Sequence, residues 1–140
     1  MQSWVIFALL SAVSAAFVAI FGKIGLAGVD TTVATTVRAA VMATFLVIMT
    51  ASLGKAGLVA SLPSKAIMFI VLSGIAGAVS WLFYFFALRH GPAAGVVALD
   101  RLSVVFVLVL AALFLGEGIT WKTGVGAALV TVGAIFMSIR

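Results

Sequence analysis

Five long apolar runs, separated by breaks of a few residues, constrain this chain more than any other feature. They cover residues 3–21, 31–53, 66–88, 93–115 and 121–139. Each holds about 19–23 residues, close to the ~20 that cross a ~30 Å hydrocarbon core at 1.5 Å per residue. The runs carry no period-2 alternation, so they predict helices rather than barrel strands. A soluble fold is excluded by composition. The chain is 66% hydrophobic and 8% charged over 140 residues, against about 45–50% and about 25% in soluble domains. The reading is an all-α membrane protein of five transmembrane helices, one domain over 1–140, with lipid as its solvent. Residues 3–21 read as a retained helix rather than a signal peptide. No basic residue precedes them, and Gly22-Lys23 leads into further spans.

The breaks carry matching punctuation. Asp30-Thr31-Thr32 supplies N-cap side chains ahead of the second run. Pro63-Ser64 precedes the third and Pro92 opens the fourth, where a missing N–H costs nothing. Glu117 and Thr120 stand at the positive end of the fifth. Trp4 and Trp121 mark one membrane face as an aromatic belt. Small residues recur at spacing four, as in Gly91 and Gly95 or Gly124 and Ala128, a spacing that lets helix backbones approach.

Lys and Arg in short loops set orientation. With five spans, the N-terminal face carries Lys55, Lys65 and Lys122, and the opposite face carries Lys23, Arg89 and Arg140. The balance gives almost no instruction on which way to insert. It permits both orientations and hence an antiparallel homodimer. Because the span number is odd, two such units in tandem would be inverted repeats, an architecture common in secondary transporters.

Three ionisable residues lie well inside spans, where a charge is costly and a functional candidate by default. Arg38 is eight residues past Asp30, and Asp100 is eight past Pro92, with Arg101 beside it. Both lie roughly 12 Å inside from the same face, so Arg38 and Asp100 are expected to pair if their helices are neighbours. In an antiparallel dimer the two charged sets approach the midplane. With Asp100 ionised the set sums to +1, which suits a small substrate bearing a carboxylate or phosphate, zwitterions included. The alternative is an ion pair that only fixes packing. Trp81 and Tyr84, in the run Ser80-Trp81-Leu82-Phe83-Tyr84-Phe85-Phe86, are candidates for lining a cavity or capping a cation. Ser11, Ser14, Thr35, Thr44 and Ser103 are further polar candidates, read chiefly as interhelical glue.

Catalytic patterns are missing. His90 stands without a neighbouring carboxylate, there is no cysteine, and neither HExxH, GxSxG nor a G-x-x-x-x-G-K-[ST] loop occurs. Neither an enzyme, a metal site nor a cofactor is expected, and the scattered basic residues are no nucleic-acid patch.

Taken in order, several segments resemble the EamA-type drug/metabolite transporter superfamily, especially its short single-repeat bacterial and archaeal members. They are Phe21-Gly22-Lys23-Ile24-Gly25-Leu26, Arg38, Ser80 through Leu88, Leu99-Asp100-Arg101-Leu102-Ser103, Phe114-Leu115-Gly116-Glu117, and Gly124 through Gly133. The resemblance implies one five-helix repeat of an inverted-repeat transporter. It also implies a multi-pass protein of the cell (inner or plasma) membrane, and a secondary transporter of small metabolites acting as an antiparallel homodimer. Larger members commonly have a proline near the middle of the fourth span, where this chain reads Ala98-Leu99-Asp100-Arg101. The related small multidrug exporters use a glutamate in the first span, and residues 3–21 hold no carboxylate. The competing readings are a non-transporting scaffold or accessory subunit, and a small multidrug cation exporter.

Overall fold

A computed structural model describes residues 3–139; Arg140, counted above among the loop charges, lies outside them. The helices are α1 (Ser3–Gly25), α2 (Thr31–Ser52), α3 (Ser64–His90), α4 (Ala93–Asp100), α5 (Ser103–Leu110) and α6 (Trp121–Ser138). A 3₁₀ turn, Ala56–Ser61, stands between α2 and α3, and a π-helical stretch, Ala111–Leu115, continues α5. With α4, α5 and that stretch taken as one span, Ala93–Leu115, five helical segments are long and apolar enough to cross a membrane. This is an all-α membrane architecture. Most large apolar side chains are exposed, as with Phe114 at 81%, because hydrocarbon rather than a protein core receives them.

Local chemistry explains the helix ends. Asp30 caps α2, its Oδ1 accepting from the N–H groups of Thr32 (2.9 Å) and Val33 (3.0 Å). Thr120 caps α6 in a reciprocal box with Thr123, whose hydroxyl accepts from the Thr120 N–H at 3.0 Å. Pro92 is the N-cap residue of α4. At the end of α2 the Lys55 N–H reaches back to the Thr50 carbonyl (3.0 Å) and that of Gly54 to Ala51 (2.9 Å). That reversal needs the left-handed backbone of Gly54, at φ 68°.

The chain divides into two compact units. One is Ile24–Arg89, with α2 and most of α3. Its buried residues are Leu26, Thr31, Thr35, Phe85 and Leu88. Arg89 ties the end of α3 to the start of α2, its Nη1 donating to the Val29 carbonyl (3.1 Å) and to Thr31 Oγ1 (3.2 Å).

The other unit comprises the residues up to Lys23 together with those from His90 onward. Here α4 packs along α6, with Gly95, Val96 and Ala98 of α4 and Ala127 and Ala134 of α6 buried. Gly95 sits where an added Cβ would lie 3.3 Å from the Met137 carbonyl oxygen. Lys23 Nζ donates to the Gly91 carbonyl at 2.9 Å, joining the end of α1 to the turn before α4.

The fourth span has the expected bounds, Ala93–Leu115, but its helix is not uniform. It is interrupted at Arg101–Leu102, where Arg101 and Leu102 donate to Ala98 (3.1 Å) and Leu99 (3.0 Å) in i→i−3 fashion. A 3₁₀ step inside a helix is a common mark of a hinge. The α4 half is buried on α6, whereas α5 contains no buried residue.

Candidate functional site

Arg38 lies seven residues into α2, about 10 Å along the helix from Thr31. Thr31, Thr35 and Arg38 follow spacings of four and three, so they share one stripe of α2. On α3, Trp81, Tyr84, Phe85 and Leu88 form a second stripe at offsets of three, four and seven. The stripes meet at Arg38. Its guanidinium carbon stands 3.5 Å from the centroid of the Trp81 ring and 5.6 Å from that of Phe85. The Trp81 ring meets Tyr84 edge-on at 5.2 Å and Phe85 at 5.8 Å, so the platform is itself held by neighbouring rings. Phe85 is buried, while Arg38, Trp81 and Tyr84 keep partial exposure.

The energetics are close to balance. An arginine at mid-membrane costs about 2.5–3.5 kcal/mol on insertion scales. A desolvated cation–π contact returns up to about 2 kcal/mol. The unit's single carboxylate, Asp30, is committed to the α2 cap.

The structure therefore brings together three of the five expected site residues, Arg38, Trp81 and Tyr84. The partner of Arg38 in its own unit is an indole ring, where the sequence suggested a carboxylate. Asp100 and Arg101 belong to the other unit and are exposed at the interruption of the fourth span. Of the hydroxyls read as interhelical glue, Ser14, Thr35 and Thr44 donate to the carbonyls of Leu10 (2.9 Å), Thr31 (2.8 Å) and Ala40 (2.9 Å) within their own helices. Phe85 was missed as a member of the site; its position four residues after Trp81 was the available signal.

Five helices long and apolar enough to cross a bilayer define a multi-pass membrane protein. The EamA-like transporter family matches residues 2–139, and the chain belongs to that family. It is 38% identical over 138 residues to a protein of Sinorhizobium sp named as an uncharacterized transporter in the cobO 3' region. The match covers 99% of this chain and 98% of that relative. No solved structure matches the chain.

Proposed function

We propose that the protein is a secondary transporter of small metabolites in the cell (inner or plasma) membrane, working as an antiparallel homodimer. The observation that carries this reading is Arg38, a charge inside a span, whose guanidinium carbon stands 3.5 Å from the centroid of the Trp81 ring. A membrane helix that only fills space has no use for such a group. Trp81 and Tyr84 form the wall of the site. Asp100 and Arg101, at the interruption of the fourth span, are second contributors. Interrupted helices expose backbone and charge where transporters hold substrates. The near-equal loop charges support insertion in both orientations, and the two copies would then rock against each other as inverted halves. In the absence of a nucleotide-binding motif, transport would draw on a gradient.

The experiment is reconstitution into vesicles loaded with a mixture of small metabolites, with efflux followed by mass spectrometry. At least one solute should leave faster than from protein-free vesicles, and Arg38→Ala and Arg101→Ala should each abolish the difference. Equal efflux with and without protein overturns the transport reading. Intact efflux in both variants removes the assigned charges from it.

A further inference from the structure

Of the five residues assigned to the site, Arg38, Trp81, Tyr84, Asp100 and Arg101, only Asp100 carries the kind of group that pumps and transporters use to take up and release protons. We infer that Asp100 is the proton-binding site of the transport cycle, and that the 3₁₀ step beside it turns its change of charge into movement of α5. The proton enters from water on one face and leaves to the other, so the gradient that drives transport is a proton gradient. The inference rests on the transport reading above and names the ion to which that transport is coupled.

Elimination leads to this residue. A guanidinium keeps its proton in proteins, an indole is a donor only, and a phenol titrates only near about pH 10. The chain holds three acids. Asp30 accepts from two backbone N–H groups at the start of α2, and Glu117 follows the end of the fourth span. Asp100 alone lies within a span, and it is exposed in its own unit. The charges around it are few. Arg101 is next in sequence. On α6, against which α4 packs, the only charged residue is Lys122, in the first turn. α5 has none, and α1 has only Lys23, whose Nζ donates to the Gly91 carbonyl. With Asp100 ionised, it and Arg101 sum to zero. With Asp100 protonated, Arg101 is left as one net charge within the span.

The backbone supplies a means of response. The i→i−3 bonds of Arg101 and Leu102 to Ala98 and Leu99 directly follow Asp100, and a short 3₁₀ piece within a helix is a common hinge. The half before it is fastened to α6, with Gly95, Val96 and Ala98 buried. The half after it, α5, contains no buried residue. A unit of charge gained or lost at Asp100 therefore acts at the joint between a held half-helix and a free one.

The test reads protonation and movement in the purified full chain in nanodiscs. Val107→Cys and Leu129→Cys, exposed on α5 and α6, carry one pair of spin labels. Ala94→Cys and Phe136→Cys carry a second pair that reports α4 against α6. Labelled chain is diluted in unlabelled chain, so that each distance is measured within one chain. The pH is raised from about 4 to about 9, which brackets carboxyl titration in proteins. The 107–129 distance should shift by about 2 Å or more, the scale of helix shifts in switching proteins, and the 94–136 distance should stay constant. Asp100→Asn, neutral throughout, should hold the acid-form distance at every pH. The infrared band of protonated carboxyl that the parent has in excess of this variant should titrate together with the distance. Glu117→Gln should behave as the parent. A 107–129 distance that ignores pH, or that responds equally in Asp100→Asn, overturns the inference. Asp100→Glu, which keeps a carboxyl, should retain the shift; its loss there overturns the inference even if the asparagine variant fails to insert. Vesicles with an imposed pH gradient separate the two readings. Efflux of a small metabolite that ignores both the gradient and Asp100→Asn keeps transport and overturns the proton site. An Asp100-dependent pH response without passage of any solute supports the proton site and overturns transport.

Discussion

The guanidinium carbon of Arg38 on α2 lies 3.5 Å from the centroid of the Trp81 indole on α3. Each limits the other. The ring offsets part of the cost of a charge inside a span, and the contact ties α2 to α3 at this point. Removing the ring should therefore cost stability as well as binding. Trp81→Leu keeps an apolar side chain but no π face, and should destabilise the protein by about 0.5–2 kcal/mol. Trp81→Phe should lose less. Thermal unfolding in detergent measures both, and a leucine variant as stable as the parent would mean that the stack contributes nothing.

Gly95 makes the complementary point about backbone approach. A Cβ there would sit 3.2 Å from Pro92 Cγ and 3.3 Å from the Met137 carbonyl oxygen, and the latter is backbone that cannot rotate away. Gly95→Val should destabilise by roughly 1–3 kcal/mol through overpacking. Gly124, in the same small-residue pattern on α6, has nothing within 4 Å of the added atom, so Gly124→Ala should be neutral or slightly stabilising. A common response of the two glycines in a thermal assay would refute the distinction.

The N-cap of α2 gives a third expectation. Asp30 accepts two backbone hydrogen bonds, and Asp30→Ala leaves those N–H groups to water or headgroups. A loss of about 0.5–2 kcal/mol is expected, with Asp30→Asn retaining most of the stability. Hydrogen exchange should rise first at Thr32 and Val33. Protection there equal to the parent's would show that another group replaces the carboxylate.

These same residues mark what could be read before the structure. Asp30 and Thr120 were legible as caps because capping is local, decided within three residues. The spans were legible because hydrocarbon thickness sets their length. Arg38 and Trp81 were each legible as candidates, but their stack was not. They are 43 positions apart on different helices, and only the register of α2 against α3 makes them meet. The interruption at Arg101–Leu102 was hidden for another reason. Ala98-Leu99-Asp100-Arg101-Leu102 contains neither proline nor glycine, so nothing local announces a break there. The hydroxyls of Thr35 and Thr44 donate to their own i−4 carbonyls, a local option that the spacing of polar residues does not reveal.

The last prediction concerns orientation in the membrane, and the absence of cysteine makes it direct. Lys23 and Arg89 are unsuitable labelling sites because both make hydrogen bonds to backbone carbonyls. Ala27 and Gly57 are better, since both are exposed, Ala27 in the turn after α1 and Gly57 in the 3₁₀ turn after α2, with one span between them. A single cysteine is placed at either position and intact cells are treated with a membrane-impermeant thiol reagent, before and after permeabilisation. If the sequence count of Lys55, Lys65 and Lys122 against Lys23, Arg89 and Arg140 sets orientation, each site should label in part. Adding two lysines to the segment between α2 and α3 should tip the balance. The Gly57 site should then become cytoplasmic and silent in intact cells, and the Ala27 site fully reactive. If the parent already labels fully at one site and not at the other, its orientation is fixed. The antiparallel homodimer then falls, and any second half of the transporter must come from a different chain.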